Sequence, residues 1–135
     1  MLEKSSITQT IIKKLEYDAI FNGRVLSDSM IPIIFINSDL KIKKTRISSL
    51  LKNDIIAFWD NKTHRIIVHR IISINRKNKL IITKGDNLKN NDKPIKYSSV
   101  LGKVIKISDN PHSIFNKVKY FLKKYYHANI FVFTL

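Results

Sequence analysis

The chain has 135 residues and no low-complexity tract, a length that suits one domain with a core of its own. It contains no cysteine, which excludes disulfide bonds, thiolate metal sites and a cysteine nucleophile. Lysine and arginine outnumber aspartate and glutamate 25 to 10, which gives a net charge of +15. Such a charge attracts nucleic acid, anionic lipid headgroups or acidic peptides. The alternative is that it only reflects a lysine-rich composition.

Residues 4–20 are predicted to form an amphipathic helix, because apolar side chains recur there at helical spacing between charged ones. Asn22-Gly23 ends this pattern. From there to residue 107 the chain is rich in β-branched residues and poor in glycine, which is typical of strands. The predicted strands are 24–28, 31–36, 39–44, 54–59, 64–75, 79–84 and 100–107.

Asn110 and Pro111 are typical of a helix start, with asparagine as the N-cap and proline in the first turn. The residues that follow form an apolar stripe surrounded by lysines: Ile114, Val118, Phe121, Leu122 and Tyr125. A basic amphipathic helix of this kind either packs its stripe on the domain or docks on an anionic membrane surface. The predicted fold is therefore mainly β (α+β), one domain with an N-terminal helix at 1–22, a β core at 23–108 and a C-terminal helix at 109–135.

Three short motifs in the β core contain serine, histidine and aspartate in that order. Ser29 lies in VLSDSMIP, His69 in VHRI and Asp86 in TKGDN. A serine hydroxyl becomes a nucleophile when a base takes its proton, and a carboxylate can orient that base. Ile67 and Ile71 share the strand face of His69, and apolar neighbours disfavour the charged imidazolium, so the ring can accept a proton. The pattern predicts a hydrolase with a serine nucleophile.

These motifs resemble those of the signal peptidase I family, most closely its archaeal and endoplasmic-reticulum branch, where histidine stands in place of the lysine of related bacterial enzymes. VLSDSMIP, VHRI and TKGDNLKNND occur in the family's order, and the segments 52–58 and 100–104 are similar to two of its strands. The resemblance covers about residues 23–107. It implies a coiled antiparallel β-sheet domain and a serine endopeptidase, for which no cofactor is expected.

By this resemblance Ser29 is the nucleophile, His69 is the general base and Asp92 completes the site, with Asp86 as the second candidate for orienting the histidine. The oxyanion hole is expected to combine the backbone N–H of Ser29 with the hydroxyl of Ser27. The expected substrate is a signal-like or leader-like peptide or preprotein, cleaved after a small residue through an acyl-enzyme.

Two features depart from the family pattern. Asp28 stands where the family usually has glycine, and a charged amphipathic helix precedes the serine motif in place of a membrane anchor. No run reaches the roughly 18 apolar residues of a membrane-spanning helix, so we expect a cytoplasmic protein or one peripheral at a membrane.

The alternatives are a catalytically inactive relative and a basic module that binds nucleic acid or an anionic surface. The chain has no recognisable nucleic-acid-binding motif, so nucleic acid is not the expected partner. A metal site is not expected either, because the five-residue spacing of His64 and His69 predicts opposite faces of one strand.

Overall fold

A computed structural model describes residues 9–10 and 20–128 of the chain, without the side chains of residues 125–128. Residues 9 and 10 are helical, and the rest of the predicted N-terminal helix lies outside the described residues, apart from its last residue, Ile20. Ile20 is the first residue of a strand, so the predicted boundary at residue 22 is wrong by three residues. The described part is mainly β with a C-terminal helix, which confirms the predicted fold class.

Among the described residues, seven strands form one antiparallel sheet in the order β1-β2-β7-β3-β4-β5-β6. The strands are β1 (Ile20–Arg24), β2 (Asp39–Lys43), β3 (Ile55–Asp60), β4 (Arg65–Asn75), β5 (Leu80–Lys84), β6 (Ile95–Lys96) and β7 (Val100–Ser108). Two short 3-10 helices lie at Ile47–Ser49 and Tyr97–Ser99, and the helix α1 spans Pro111–Ala128.

Five of the predicted strands match β2, β3, β4, β5 and β7, with each end within one residue. The predicted strands 24–28 and 31–36 are wrong, because the chain between β1 and β2 forms tight turns. The amide groups of Ile33 and Ile34 both donate to the carbonyl oxygen of Met30, and Pro32 has no N–H to give to a ladder. β-Branched content therefore predicted extended structure where local hydrogen bonds produce a turn.

The sheet has an apolar cluster on each side, because neighbouring residues of the central strand β3 point to opposite faces. Ala57 belongs to one cluster, and Ile56 and Phe58 belong to the other. The turn segment between β1 and β2 contributes the buried side chains of Met30 and Ile34 to the Ala57 cluster. This burial holds the segment that contains Ser29 against the sheet.

Helix α1 begins where the sequence predicts. The side-chain oxygen of Asn110 accepts hydrogen bonds from the backbone N–H groups of His112 and Ser113, and its amide nitrogen donates to Asp39 Oδ2 at 3.0 Å. This hydrogen bond, followed by one from Arg24, lowers the pKa of Asp39. The carboxylate therefore keeps its charge until the pH falls through that lowered pKa, and the contribution of these bonds to stability is lost below it.

Only part of the predicted C-terminal helix range can be compared, because residues 129–135 lie outside the described residues. Within the described part of the chain, no helix is both long enough and apolar enough to cross a membrane.

Gly102 tests how tightly β7 fits between its neighbours. A Cβ on this residue would lie 2.6 Å from the carbonyl oxygen of Lys43 in β2. A backbone atom cannot relieve this contact by a change of rotamer, as a side-chain atom can. We expect Gly102→Ala to lower the free energy of unfolding by about 1–3 kcal/mol, measured by urea denaturation.

Gly23→Ala is the matched control, since the nearest atom to a Cβ there is Phe21 Cε1 at 3.4 Å. This variant should change the free energy of unfolding by less than about 0.5 kcal/mol. Equal effects of the two substitutions would contradict the close approach of β7 to β2.

Candidate active site

Ser29, His69 and Asp92 form a continuous hydrogen-bonded chain. Ser29 lies between β1 and β2, His69 lies in β4, and Asp92 lies between β5 and β6. His69 Nε2 is 3.2 Å from Ser29 Oγ, and His69 Nδ1 is 2.6 Å from Asp92 Oδ2. The histidine is buried, with 5% of its surface exposed, and its ring lies edge-on to Phe58. The structure thus brings together the serine, the histidine and the favoured aspartate of the sequence prediction.

Thr83 fixes the carboxylate of Asp92. The buried hydroxyl of Thr83 donates to Asp92 Oδ2 at 2.7 Å, and the backbone N–H of Asp92 donates to the carbonyl oxygen of Thr83 at 2.8 Å. An ionised Asp92 would accept from Nδ1 of His69, and that tautomer leaves Nε2 as the acceptor facing Ser29. The sequence prediction missed Thr83, although it is the first residue of the TKGDN motif.

The turn that follows β5 binds the backbone around Ser29. The N–H of Asn87 donates to the carbonyl oxygen of Ser29 at 2.8 Å, and the side-chain amide of Asn87 donates to the carbonyl oxygen of Asp28 at 3.1 Å. The N–H of Asp86 contacts the sulfur of buried Met30 at 3.4 Å. Asn87 therefore positions the serine segment through two bonds, a role that its place in the KGDN motif could have suggested.

Gly85 permits this turn to approach the site. A Cβ on Gly85 would lie 2.8 Å from the carbonyl oxygen of Ser29, 2.8 Å from Leu88 Cδ1 and 3.0 Å from His69 Nε2. These distances are shorter than ordinary contacts, so any side chain would push apart the groups that form the site. The half-exposed Leu88, a residue that the sequence prediction did not include, therefore also borders the space beside Gly85.

Asp86, the second candidate for orienting His69, binds Arg70 instead. The two carboxylate oxygens of Asp86 accept hydrogen bonds from Nε and Nη2 of Arg70 at 2.9 and 2.8 Å, and Nη1 donates to the carbonyl oxygen of Asn53. The hydrogen bonds that Arg70 donates to Asp86 raise the pKa of Arg70. Since adjacent residues of β4 point to opposite faces, Arg70 holds Asp86 away from His69.

The predicted oxyanion-hole groups lie at the exposed rim. Ser27 Oγ is 3.3 Å from Ser29 Oγ, and the backbone N–H of Ser29 donates to no other group among the described residues. Asp28 is exposed, and its carboxylate has no hydrogen bond or ion pair within the described part of the chain. Its charge therefore faces solvent next to the nucleophile.

His64 and His112, the other histidines whose side chains the structure describes, lie outside this site. His64 lies in the turn before β4, where its ring packs on Trp59 at 6.2 Å, so the predicted strand placement of His64 is wrong by one residue. Across the described residues, no group of three or more His, Cys, Asp or Glu side chains is placed to hold a metal ion.

The Arg70–Asp86 pair should stabilise the turn that binds the serine segment. Its side chains are 26% and 17% exposed, and the pair is bidentate, so a double-mutant cycle to alanine should give a coupling free energy of about 1–3 kcal/mol.

The Arg24–Asp39 pair is a suitable control, because its side chains are 54% and 43% exposed. A double-mutant cycle on this pair, measured by urea denaturation, should give a coupling free energy of less than about 1 kcal/mol. A coupling at Arg70–Asp86 no larger than in the control would contradict its stabilising role.

Comparison with known proteins adds no assignment. No protein-family model matches the chain, and no curated protein matches it at a significant level.

Proposed function

We propose that the chain is a serine endopeptidase of the signal peptidase I type, which cleaves signal-like or leader-like peptides after a small residue. The observation that carries the proposal is the chain of hydrogen bonds from Ser29 through His69 to Asp92, with distances of 3.2 and 2.6 Å. Three segments far apart in sequence supply these groups, in the order in which the resembled family has them. The preference for a small residue comes from the resemblance of the motifs.

Acylation follows from the roles that this geometry gives to the nitrogens of His69. The proton of Ser29 Oγ moves to Nε2 as Oγ bonds to the carbonyl carbon of the scissile peptide bond. Nε2 then gives this proton to the leaving amine, the C–N bond breaks, and the acyl group remains on Ser29 as an ester. Asp92 stays ionised and stabilises the imidazolium that exists between these two transfers.

Deacylation uses the same groups and consumes one water molecule. Water gives a proton to Nε2 of His69 and bonds to the ester carbon, and the proton then returns to Oγ of Ser29 as the acid product leaves. In both steps the carbonyl oxygen becomes negative, and the N–H of Ser29 with the hydroxyl of Ser27 are the donors that would stabilise it.

A serine–lysine mechanism has less support. Lys84, which lies in the strand paired with that of His69, follows Thr83, whose hydroxyl binds Asp92. Because successive strand residues point to opposite faces, Lys84 points away from the side on which Asp92 and His69 meet. His69 is also the residue whose Nε2 lies within hydrogen-bonding distance of Ser29 Oγ.

The proposal is tested with purified protein and a library of signal-peptide-like substrates, followed by mass spectrometry of the products. Ser29→Ala and His69→Ala should each lower kcat/KM by about 10³-fold or more, since each removes a group that bonds or moves a proton in the transition state. Asp92→Asn should lower it by about 10²-fold to 10⁴-fold, because an amide does not favour the imidazolium and need not select the same tautomer.

Ser48→Ala and His112→Ala are matched controls, because both residues are exposed and lie outside the site. They should keep wild-type activity. Equal rates for the wild type, Ser29→Ala and His69→Ala would overturn the peptidase proposal. The remaining alternatives would then be a catalytically inactive relative and a basic binding module. Salt-dependent retention of nucleic acid by the Ser29→Ala protein would then favour a basic nucleic-acid module.

A further inference from the structure

Helix α1 contacts the domain with its polar side. Ser113 is fully buried, the side-chain amide of Asn116 donates to the carbonyl oxygen of Ile36, and Tyr120 packs edge-on against Phe35 at 5.5 Å. At 100° per residue, Ser113, Asn116 and Tyr120 lie on one side of the helix. The stripe that the sequence singled out lies mostly on the other side, so packing of the whole stripe on the domain is wrong.

Four large apolar side chains of α1 point away from the domain. Their exposed fractions range from 49% to 68%, and they are Ile114, Phe115, Val118 and Leu122. On a helical wheel they fall within an arc of about 100°. A contiguous apolar patch is unusual on the surface of a monomeric protein and marks a place where another apolar phase or surface binds.

Lysines border this patch on both sides. Lys119 and Lys123 follow one edge of the arc, and Lys117 and Lys124 follow the other. The helix contains no aspartate or glutamate. Lysine stems can lie along the apolar boundary of a bilayer while their ammonium groups reach anionic headgroups. Two copies of the patch placed face to face would instead bring these lysines together without a counter-charge.

We propose that α1 is a docking helix for an anionic lipid bilayer, with Phe115, Val118 and Leu122 in the headgroup and acyl boundary and Lys119, Lys123 and Lys124 at the phosphates. Lys117 instead pairs with Asp109 at 3.4 Å. The bonds of Asn110 to Asp39 and of Asn116 to Ile36 fix the helix to β2 and to the turn segment before it. Docking of α1 therefore places the whole catalytic domain at the membrane surface, whatever the activity of Ser29.

Flotation of the full chain with vesicles tests this proposal. The protein should bind vesicles that contain about 30% phosphatidylglycerol, bind phosphatidylcholine vesicles far less, and dissociate at high salt. Lys123→Gln with Lys124→Gln should weaken binding about twentyfold. Phe115→Ser with Leu122→Ser should weaken it about thirtyfold or more.

Two control double variants test whether vesicle binding depends on the patch itself or only on the protein's general charge and exposed apolar surface. Lys62→Gln with Lys77→Gln removes the same charge from two hairpin turns, and Leu51→Ser with Ile105→Ser removes exposed apolar side chains elsewhere. These controls should bind almost as the wild type does. Absence of binding, or equal losses in the control doubles, would overturn the proposal. A second result would also overturn it: sedimentation could show that the wild type and the control doubles form a dimer and that the Phe115→Ser with Leu122→Ser protein does not. In that case a second copy of the chain covers the patch.

A second inference rests on the proposed function and starts from the carboxylates. The described residues include seven aspartates, and in six of them the side chain binds a cation, an amide or a hydroxyl: Asp39, Asp54, Asp60, Asp86, Asp92 and Asp109. Asp28 makes no such contact within the described residues, although basic residues outnumber acidic ones 25 to 10. The unpaired carboxylate is thus the one next to Ser29.

The backbone of Asp28 is nevertheless held in place. Its carbonyl oxygen accepts hydrogen bonds from the side chain of Asn87 and the N–H of Ile31, and the carbonyl oxygen of Ser29 accepts one from the N–H of Asn87. Consecutive Cα atoms are about 3.8 Å apart, so a peptide whose scissile carbonyl lies at Ser29 Oγ brings its own side chains within reach of this carboxylate.

We infer that Asp28 is a specificity residue that selects peptides with lysine or arginine within two residues of the scissile bond, apart from the small residue that directly precedes it. A cation there would also offset the repulsion between Asp28 and the oxyanion that forms on the substrate, so the preference should appear in kcat as well as in KM.

The test uses peptide pairs that carry either lysine or uncharged norleucine at each of these positions. At one position at least, wild-type kcat/KM should be about threefold to tenfold higher for the lysine peptide than for the norleucine peptide. The Asp28→Asn variant should lose this preference. The Asp109→Asn variant, which has the same change in net charge, should keep it. A preference that survives in Asp28→Asn, or none in the wild type, would overturn the inference.

A failure of the peptidase proposal gives a different result, because no peptide would then be cleaved by any variant. Binding of the same peptide pairs to the Ser29→Ala protein, with and without Asp28→Asn, decides the inference in that case. Equal dissociation constants for both peptides and both proteins would overturn it.

Discussion

The close approach of Gly85 to Ser29 and His69 is the constraint on which the site depends. With no side chain at residue 85, the turn after β5 comes near enough for the N–H of Asn87 to reach the carbonyl oxygen of Ser29. The same turn begins the loop that returns Asp92 to Thr83 and His69. The position of Ser29 and the contacts of His69 thus depend on the absence of a side chain at Gly85.

Successive side chains of β4 point to opposite faces of the sheet, so neighbouring residues have different partners. His69 points to the side where Ser29 and Asp92 lie, and Arg70 points to the other side, where it binds Asp86. Two aspartates six residues apart therefore have different partners: Asp92 binds His69, and Asp86 binds Arg70. The carboxylates also differ in their partners, since Asp92 accepts from a neutral hydroxyl as well as from the imidazole.

The sequence was sufficient to predict five of the seven described strands, the cap at Asn110 and the three residues that meet at the site, but it missed β1 and β6. It was insufficient where local bonds decide: residues 31–36 are mostly β-branched, but they turn because Pro32 lacks a donor and Met30 accepts two amides. The direction of the stripe on α1 depends on what Phe35 and Ile36 present to the helix, and the choice between Asp86 and Asp92 depends on the position of Arg70. Neither is a property of spacing along the chain.

The place of β7 in the sheet sets the order in which the site can assemble. The hairpins of β3 to β6 are local in sequence and contain His69 and Asp92, whereas Ser29 belongs to the connection of the β1–β2 hairpin. Strand β7 lies between β2 and β3 and is what joins these two units into one sheet. Since contacts between segments distant in sequence carry a larger loop-closure entropy, we expect Ser29 to meet His69 only after β7 has joined the two units. During synthesis, we therefore expect the Ser29–His69–Asp92 site to assemble after β7 has left the ribosome.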